Sequence, residues 1–301
     1  MNRSLKNFLI ATVNFLSSVR FIQNTVNYFF KLLAQFKNLS SRGCIGPGRF
    51  LNILDSDYFI VSYPKSGNTW VRFIVANMIH RDKTVLFSNI EDLVPDVYIN
   101  KESSYRELAT PRFFKSHEYF DPRMKNVIYI VRDPRDVMVS LFFYLKKIKS
   151  IKKSYDLDLF VSNMLRGDYD SKFGSWGDNV GSWYGSKNKS RRILFIKYES
   201  LLKKPEYEYA RIAKFIGKKF SQLELQEIIS KTSFTNMSNL EKIDKSWVPN
   251  KNSDKSIGFV RSGKDGEGSK ILKSETQEII ISTWKEQIKQ AGYKFNSENI
   301  I

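Results

Sequence analysis

The chain has 301 residues, of which 42% are apolar and 27% charged, a balance typical of a globular protein with a sizeable core. Its formal net charge of +18 predicts an anionic partner: a polyphosphate cofactor, nucleic acid or an acidic membrane. One cysteine excludes a disulfide framework, and two histidines argue against a histidine-rich metal site. This cysteine usage favours a reducing, intracellular setting.

The first 50 residues predict a basic helical extension and a linker. Residues 1–54 carry seven Lys and Arg side chains but no Asp or Glu, and apolar residues recur at helical spacing from Ile22 to Phe36. The longest uncharged run, residues 7–19, is shorter than the roughly 20 residues that a membrane-spanning helix needs. We expect an amphipathic helix, either on an anionic membrane surface or packed on the protein's own core. The Ser-, Gly- and Pro-containing residues 40–48 then lead into one domain, residues 51–301.

Residues 58–79 predict a strand, a loop of small residues and a helix. A buried apolar run, Phe59 to Val61, precedes the turn formers Pro64, Ser66 and Gly67, and helical periodicity follows from residue 71. In this layout the loop N–H groups and the positive end of the helix face one cavity, which favours an anion. The spacing differs from the nucleotide-triphosphate loop, in which the lysine follows the second glycine. An ordinary strand–turn–helix connection remains the alternative from this segment alone.

The rest of the chain alternates apolar strands with helices. Strands are expected at residues 112–117, 126–131 and 192–198, with a short one at 83–87, and helices at 135–146, 155–165, 181–185, 205–217, 221–231 and 272–291. Residues 250–270, rich in Gly, Lys and Ser, predict a mobile loop. The basic run 146–153 is expected to face solvent. The pattern predicts an α/β fold, a central parallel sheet flanked by helices in three layers.

Four polar residues follow the carboxyl ends of these strands, where ligands bind in such folds: Lys65, His117, Arg132 and Tyr198. Since chance would place one or two of them there, all four together predict a site. His80 is expected to be structural, because it follows a helix with no partner in view.

Several segments resemble motifs of the sulfotransferase family, in its cytosolic branch. Tyr63-Pro-Lys-Ser-Gly-Asn-Thr-Trp70 resembles its 5′-phosphosulfate loop, which makes the loop P-loop-like, and residues 131–140 are similar to its 3′-phosphate motif. Lys115-Ser-His117 resembles its catalytic Lys-Thr-His motif. Tyr198-Glu199, Thr232–Met237 and Arg261-Ser-Gly263 resemble later cofactor contacts. The matches keep the family's order from residue 58 to about residue 265, so together they are specific.

The resemblance implies a reaction in which a sulfuryl group moves from 3′-phosphoadenosine 5′-phosphosulfate (PAPS) to a hydroxyl or amine, without a metal. It implies that Trp70 stacks on adenine and that Arg132 and Ser140 clamp the 3′-phosphate. The implied cofactor contacts are Lys65, Ser66, Gly67, Asn68, Thr69, Trp70, Arg132, Ser140, Tyr198, Thr232, Ser233, Met237, Arg261, Ser262 and Gly263.

The chemistry of such a transfer suits three of these positions. An in-line displacement with charge growing on the leaving oxygen needs positioning and fixed positive charge. Lys65 would stabilise the leaving phosphate oxygen, and Lys115 would neutralise the transferring oxygens. His117 is the expected general base, because an unperturbed imidazole titrates near working pH.

The sequence also departs from the family pattern. Asn68 stands where Thr is usual, and Ser262 replaces a usual Lys, which removes one positive charge near the 3′-phosphate. Glu267-Gly268 stand where Asp-Trp is common, and the dimer motif that often follows is not reproduced. The closure of residues 260–270 over the cofactor and that mode of dimerisation are therefore left open.

Two other functions compete with this interpretation. A phosphotransferase would need Mg²⁺ held by a carboxylate such as Asp133, but Lys65 lies on the wrong side of Gly67. A basic adaptor for membranes or nucleic acid ranks lower, since the chain has no nucleic-acid motif. The acceptor is left open: Tyr98, Tyr105 and Trp247 allow an aromatic or lipid-like alcohol. The expected location is the cytoplasm or a membrane surface.

Overall fold

A computed structural model describes residues 51–99, 102–168, 173–186, 192–244 and 252–295 of the chain. The predicted N-terminal extension with its membrane contact, and Trp247, lie outside these residues. Within them, no helix combines the length and the apolar character needed to cross a bilayer.

A four-stranded parallel sheet forms the centre of the fold. Its strands are β1 (Tyr58–Ser62), β2 (Phe113–Ser116), β3 (Asn126–Val131) and β4 (Arg192–Lys197), in the order β2-β1-β3-β4. The predicted fold class is therefore confirmed. The strand expected at residues 83–87 is absent. Val85 and Phe87 are buried, but the N–H of Leu86 donates to the Asn89 side chain in a turn, so the alternation reflects burial without a partner strand.

Helices cover both faces of this sheet. They are α1 (Asn68–Ile79), α2 (Ile90–Leu93), α3 (Pro134–Lys147), α4 (Leu157–Arg166), α5 (Trp176–Gly185), α6 (Tyr198–Lys203), α7 (Pro205–Phe215), α8 (Gln222–Lys231), α9 (Phe234–Ile243), α10 (Gly268–Ile271), α11 (Ser274–Thr283) and α12 (Lys285–Gln290), with a 3-10 helix at Glu102–Glu107. The helix expected at 272–291 is two helices, interrupted at Trp284. Helix α9 was not expected: apolar residues recur at every third position along it, but the other positions are polar and only Met237 is buried.

Successive residues of β1 point into two different cores. Phe59 and Val61 belong to a core shared with α3, α4 and α5, whereas Tyr58 and Ile60 belong to one shared with α1 and α7. Strands buried on both faces lack a polar side, which explains why they appear in the sequence as continuous apolar runs.

The strand order leaves a crevice at the carboxyl end of β1. The chain passes from β1 to β2 on one side and then crosses β1 to reach β3 on the other. The connection after β1 therefore runs to one side of the sheet and the connection after β3 to the other. Open α/β sheets bind ligands at the point where two such connections separate. The loop after β1 enters this crevice and continues directly into α1.

Candidate active site

A cavity of about 430 Å³ lies at the carboxyl ends of the strands. It brings together 15 of the 17 predicted site residues: Lys65, Gly67, Asn68, Thr69, Trp70, Lys115, His117, Arg132, Ser140, Tyr198, Thr232, Met237, Arg261, Ser262 and Gly263. The other two, Ser66 and Ser233, lie beside it and do not belong to its lining. Segments from residue 64 to residue 263 thus converge on one pocket.

The loop after β1 needs glycine at residue 67. Gly67 has φ of 101°, in the left-handed region, and a Cβ there would lie 2.6 Å from the Tyr198 ring. Since the first N–H groups of α1 have no partners within the helix, they remain available to an anion in the cavity.

Asn68 has a structural role in addition to its place in the lining. Its buried Nδ2 donates to the carbonyl oxygens of Ile60 and Ser116, both at 3.1 Å, and lies 3.3 Å from the Ser62 hydroxyl. Its side-chain amide therefore ties the first turn of α1 to β1 and β2. These bonds engage the side-chain amide that was expected to reach a phosphate oxygen, and that contact stays a prediction.

Lys65 carries its ammonium among aromatic rings. The Nζ atom lies 4.3 Å from the centre of the Tyr144 ring and 4.6 Å from that of Phe259. Burial, together with the positive charges of Arg132 and Arg261, lowers the pKa of Lys65 from 10.5 to about 7. An anion beside this amine would favour its charged form.

His117 is buried, and one of its ring nitrogens is already engaged. Its Nδ1 lies 2.7 Å from the carbonyl oxygen of Ser62, which can only accept, so Nδ1 carries a proton. The neutral ring then has an unprotonated Nε2. Burial, and secondly the charge of Lys115, lower the pKa of His117 from 6.5 to about 3. The expected titration near working pH is therefore replaced by an imidazole that is neutral throughout the physiological range.

An unpredicted carboxylate, Asp96, holds Lys115. The Lys115 ammonium forms an ion pair with Asp96, and the two residues also form a backbone bridge beside β2. Both side chains are largely buried, and Lys115 keeps the pKa of Asp96 below its usual value. The ring of His117 packs against Tyr98, one of the aromatic residues expected near the acceptor, at 6.4 Å between ring centres, and against the unpredicted Phe173 at 5.1 Å.

Arg132 enters the cavity from the end of β3. Its guanidinium lies 4.1 Å from the centre of the Tyr198 ring, donates to the Lys264 carbonyl at 3.0 Å and lies 3.5 Å from the Asp136 carboxylate. Its buried Nε has no hydrogen-bond partner among the described residues. Ser140, one turn of α3 beyond Asp136, lines the same cavity.

Arg261 reaches the cavity from the segment before α10. Both of its terminal nitrogens bond Glu267, one of them at 2.6 Å, and its guanidinium lies 4.3 Å from the centre of the Phe143 ring. Glu267 thus occupies the fork of the arginine that is expected to meet the 3′-phosphate. At Gly263, with φ of 62°, a Cβ would collide with Phe234.

The remaining predicted contacts support one another through hydrogen bonds. The indole N–H of Trp70 donates to the Thr232 carbonyl at 2.8 Å, and its ring meets Tyr198 edge-on at 5.5 Å. The Thr232 hydroxyl donates to the Ile228 carbonyl, and Ser233 caps α9 by accepting from Asn236. Stacking of Trp70 on adenine stays a prediction.

His80, 3.3 Å from the Leu93 carbonyl, has the hydrogen-bond partner that the sequence did not reveal.

The carboxylate expected to hold Mg²⁺ in a phosphotransferase is engaged elsewhere. Asp133 caps α3 and forms a two-point ion pair with Arg135, with contacts of 2.8 and 3.2 Å. Across the described ranges, no three His, Cys, Asp or Glu side chains cluster as metal ligands.

A family model for the sulfotransferase domain matches residues 55–292. The chain belongs to the sulfotransferase family. It is 30% identical over 266 residues to cytosolic sulfotransferase 12 of Arabidopsis thaliana, covering 81% of this chain and 80% of that protein. It is 28% identical to the amine sulfotransferase of Oryctolagus cuniculus, covering 81% and 84% of the two chains. The predicted membership in the PAPS-dependent sulfotransferase family and the enzyme class are thus confirmed.

A solved structure shares the fold of this sulfotransferase. The crystal structure of mouse sulfotransferase SULT7A1 complexed with PAP superposes with a TM-score of 0.65 at 24% identity. The match covers 87% of this chain and 90% of the mouse chain.

Proposed function

We propose that this sulfotransferase moves a sulfuryl group from PAPS to a hydroxyl or amine by in-line displacement, with His117 as general base and Lys65 stabilising the leaving phosphate oxygen. The observation that carries the proposal is the meeting of a neutral imidazole and four cationic side chains in one cavity: His117 with Lys65, Lys115, Arg132 and Arg261. The family supplies the reaction class, and the arrangement of these side chains suggests the role of each.

The residues present fit PAPS. A compact cavity with four cationic groups suits a ligand that carries two separate phosphate groups. The buried Nε of Arg132, a residue that lines the cavity, lacks a hydrogen-bond partner among the described residues. Because such an orphan donor is costly, a ligand oxygen beside Arg132 explains it. When bound, PAPS supplies the activated sulfuryl group and a phosphate leaving group.

His117 has the features of a base that is ready to act. The bond from Nδ1 to Ser62 fixes the ring and the tautomer, and leaves Nε2 as the proton acceptor. In the proposed step, Nε2 takes the proton of the acceptor hydroxyl or amine as the acceptor atom bonds to sulfur. The negative charge of a bound donor would raise the low pKa of the ring and strengthen this base.

Lys65 has the features of a charge that strengthens when an anion arrives. Its lowered pKa of about 7 would rise beside a phosphate oxygen, so that a full positive charge faces the leaving group. Lys115, already paired with Asp96, would supply a second charge near the transferring oxygens. The first-turn N–H groups of α1 would complete the phosphosulfate contacts.

The acceptor is proposed to be a small molecule with a hydroxyl or amine. Aromatic residues line the cavity near His117, among them Tyr98 and Phe173, which suits a flat or lipid-like apolar body. An amine acceptor is in keeping with the name of the rabbit relative. A cytoplasmic location is proposed from the name of the plant relative, and peripheral membrane contact through residues 1–37 stays a prediction.

Calorimetric titration of the full chain tests the donor. We expect binding of PAP, the 3′,5′-bisphosphate product, with no gain from Mg²⁺, and weaker binding of ATP with Mg²⁺. Preference for ATP would contradict the proposal. A screen of alcohols, phenols, amines and sugars with labelled PAPS then identifies the acceptor.

A further inference from the structure

Residues 257–263, the cover segment, close one side of the cavity without regular secondary structure. Five of its residues line the cavity: Phe259, Val260, Arg261, Ser262 and Gly263. Because these residues belong to no helix or strand, side chains must satisfy part of their backbone. The position of Arg261 and Phe259 in the cavity therefore depends on whatever holds this backbone.

One carboxylate, Glu241 of α9, holds two consecutive N–H groups of the cover segment. Its Oε1 accepts from the Phe259 N–H at 2.6 Å, and its Oε2 accepts from the Val260 N–H at 2.8 Å. Both oxygens are thus used, and hydrogen bonds to an ionised acceptor are stronger than neutral ones. The two bonds fix the direction of the chain just before Arg261.

Lys147, at the end of α3, supports the same carboxylate from behind. Its ammonium lies 3.5 Å from Oε1 of Glu241 and donates to the Ile257 carbonyl, and its side chain is only 7% exposed. Its own carbonyl accepts from the Asp254 N–H at 2.7 Å. Lys147 therefore departs from the solvent-facing role expected for the basic run, and it anchors the cover segment together with Glu241.

We infer that Glu241 is a positioning residue, which holds the cover segment so that Phe259 lies against Lys65 and Arg261 can reach the donor. The inference rests on the proposed PAPS site. Glu241 itself is absent from the cavity lining among the described residues, so it acts through the residues it holds. As a positioning residue, Glu241 strengthens PAP binding. Its negative charge by itself would weaken PAP binding, because a negative group near an anion site repels the anion.

Two variants separate these effects. Glu241→Ala removes both acceptors, and Glu241→Gln keeps one oxygen that can accept a single N–H. We expect PAP affinity to fall by about tenfold in the alanine variant and by less in the glutamine variant. Glu227→Gln on α8, whose partner is the exposed Lys231, is the matched control and should bind PAP normally. Tighter binding by Glu241→Gln than by the natural chain would overturn the inference.

Hydrogen exchange in the ligand-free protein checks the contacts without relying on catalysis. The amides of Phe259 and Val260 should exchange faster in Glu241→Ala, while those of β1 and β3 keep their protection and show that the fold is intact. Unchanged exchange at both amides would overturn the inference even if PAP binds. If the natural chain fails to bind PAP while the exchange changes as expected, the proposed function fails instead.

A double-mutant cycle with Arg261→Ala tests whether Glu241 acts through the arginine. Once Arg261 is gone, Glu241→Ala should cost less than about twofold in PAP affinity, against about tenfold in the natural chain. Equal losses in both backgrounds would show that Glu241 does not act through Arg261 and would overturn the inference.

Discussion

The two ends of the cavity hold their cations in different ways. At the arginine end, comprising Arg132 and Arg261, acidic side chains lie beside the guanidiniums: Asp136 at 3.5 Å and Glu267 in a two-point pair. At the histidine end, comprising Lys65, Lys115 and His117, burial lowers the pKa of all three groups, and only Lys115 among them is paired with a carboxylate in the described part of the chain.

This difference suggests that the arginine end mainly binds the donor and that the histidine end mainly carries out the reaction. A guanidinium keeps its charge at any working pH, so the arginine end can serve as a permanent anchor for a phosphate. An amine with a pKa near 7 and a neutral imidazole can each change charge or take a proton when a ligand arrives. We therefore expect changes at the histidine end to lower turnover more than affinity, and changes at the arginine end to affect mainly affinity.

His117→Ala should have the largest effect. Loss of the base should lower kcat by about 10²–10⁴-fold, while PAP affinity changes little, because the imidazole is neutral in the free protein. Steady-state kinetics and calorimetry measure the two quantities. His80→Gln, at the other histidine of the chain, is the control and should keep full turnover. Normal turnover in His117→Ala would remove the histidine end from the chemistry.

Lys65→Met should rank second. It keeps the length of the side chain and its contact with the aromatic rings but removes the charge that faces the leaving oxygen. A fall of about 10²–10³-fold in kcat is expected, comparable to the loss of one oxyanion-hole donor. Single-turnover rates measure the step directly. A rise in KM with kcat preserved would instead place Lys65 with the arginine end, as a binding group.

The pH dependence of PAP binding should reveal the same lysine. Lys65 has a pKa of about 7 when free, and a bound anion raises it, so binding takes up a proton above pH 7. Affinity should therefore fall as pH rises from 7, by at most about tenfold per unit, and Lys65 should contribute no change below pH 7. Calorimetry in buffers of different ionisation enthalpy counts the proton. Lys65→Met should abolish the uptake, and uptake that persists in this variant belongs to another group.

Glu267→Gln should have the smallest effect, and in the opposite direction. The pair with Arg261 is partly exposed, and pairs of this kind contribute about 0.2–1 kcal/mol. Without the competing carboxylate, PAP affinity should rise by up to about fivefold while kcat stays close to that of the natural chain. Weaker binding would show that Glu267 aims Arg261 at the ligand and does not compete with it.

The centre of the sheet could be predicted from the sequence because β1 and β3 are buried on both faces. Continuous apolar runs mark β1, β3 and β4 directly, and the residues that follow the strand ends were located from those runs. Helix α9 was missed because its apolar residues are few and only Met237 among them is buried. Residues 83–87 show the opposite error, a strand that was predicted but did not form. Val85 and Phe87 alternate with less buried residues as in a strand, but they are buried at a turn.

The predicted residues meet in one cavity, but the groups that hold them were missed. Asp96 pairs with Lys115 across 19 positions, and Phe259 covers Lys65 from a polar loop nearly 200 positions away. Neither relation leaves a local signal, because short-range patterns report burial and turns but not which distant side chain becomes the neighbour. The low pKa of His117 was missed for the same reason, since it depends mainly on burial.

The amide of Asn68 connects the cavity to the inside of the protein. It bonds carbonyl groups on two neighbouring strands, so the spacing between β1 and β2 fixes where the first turn of α1 begins. A substitution far beneath the surface that spreads these strands would displace the anion-facing amides without touching any ligand. Such a variant would bind the donor weakly although every residue that lines the cavity is unchanged. The cause would be the altered packing of the sheet.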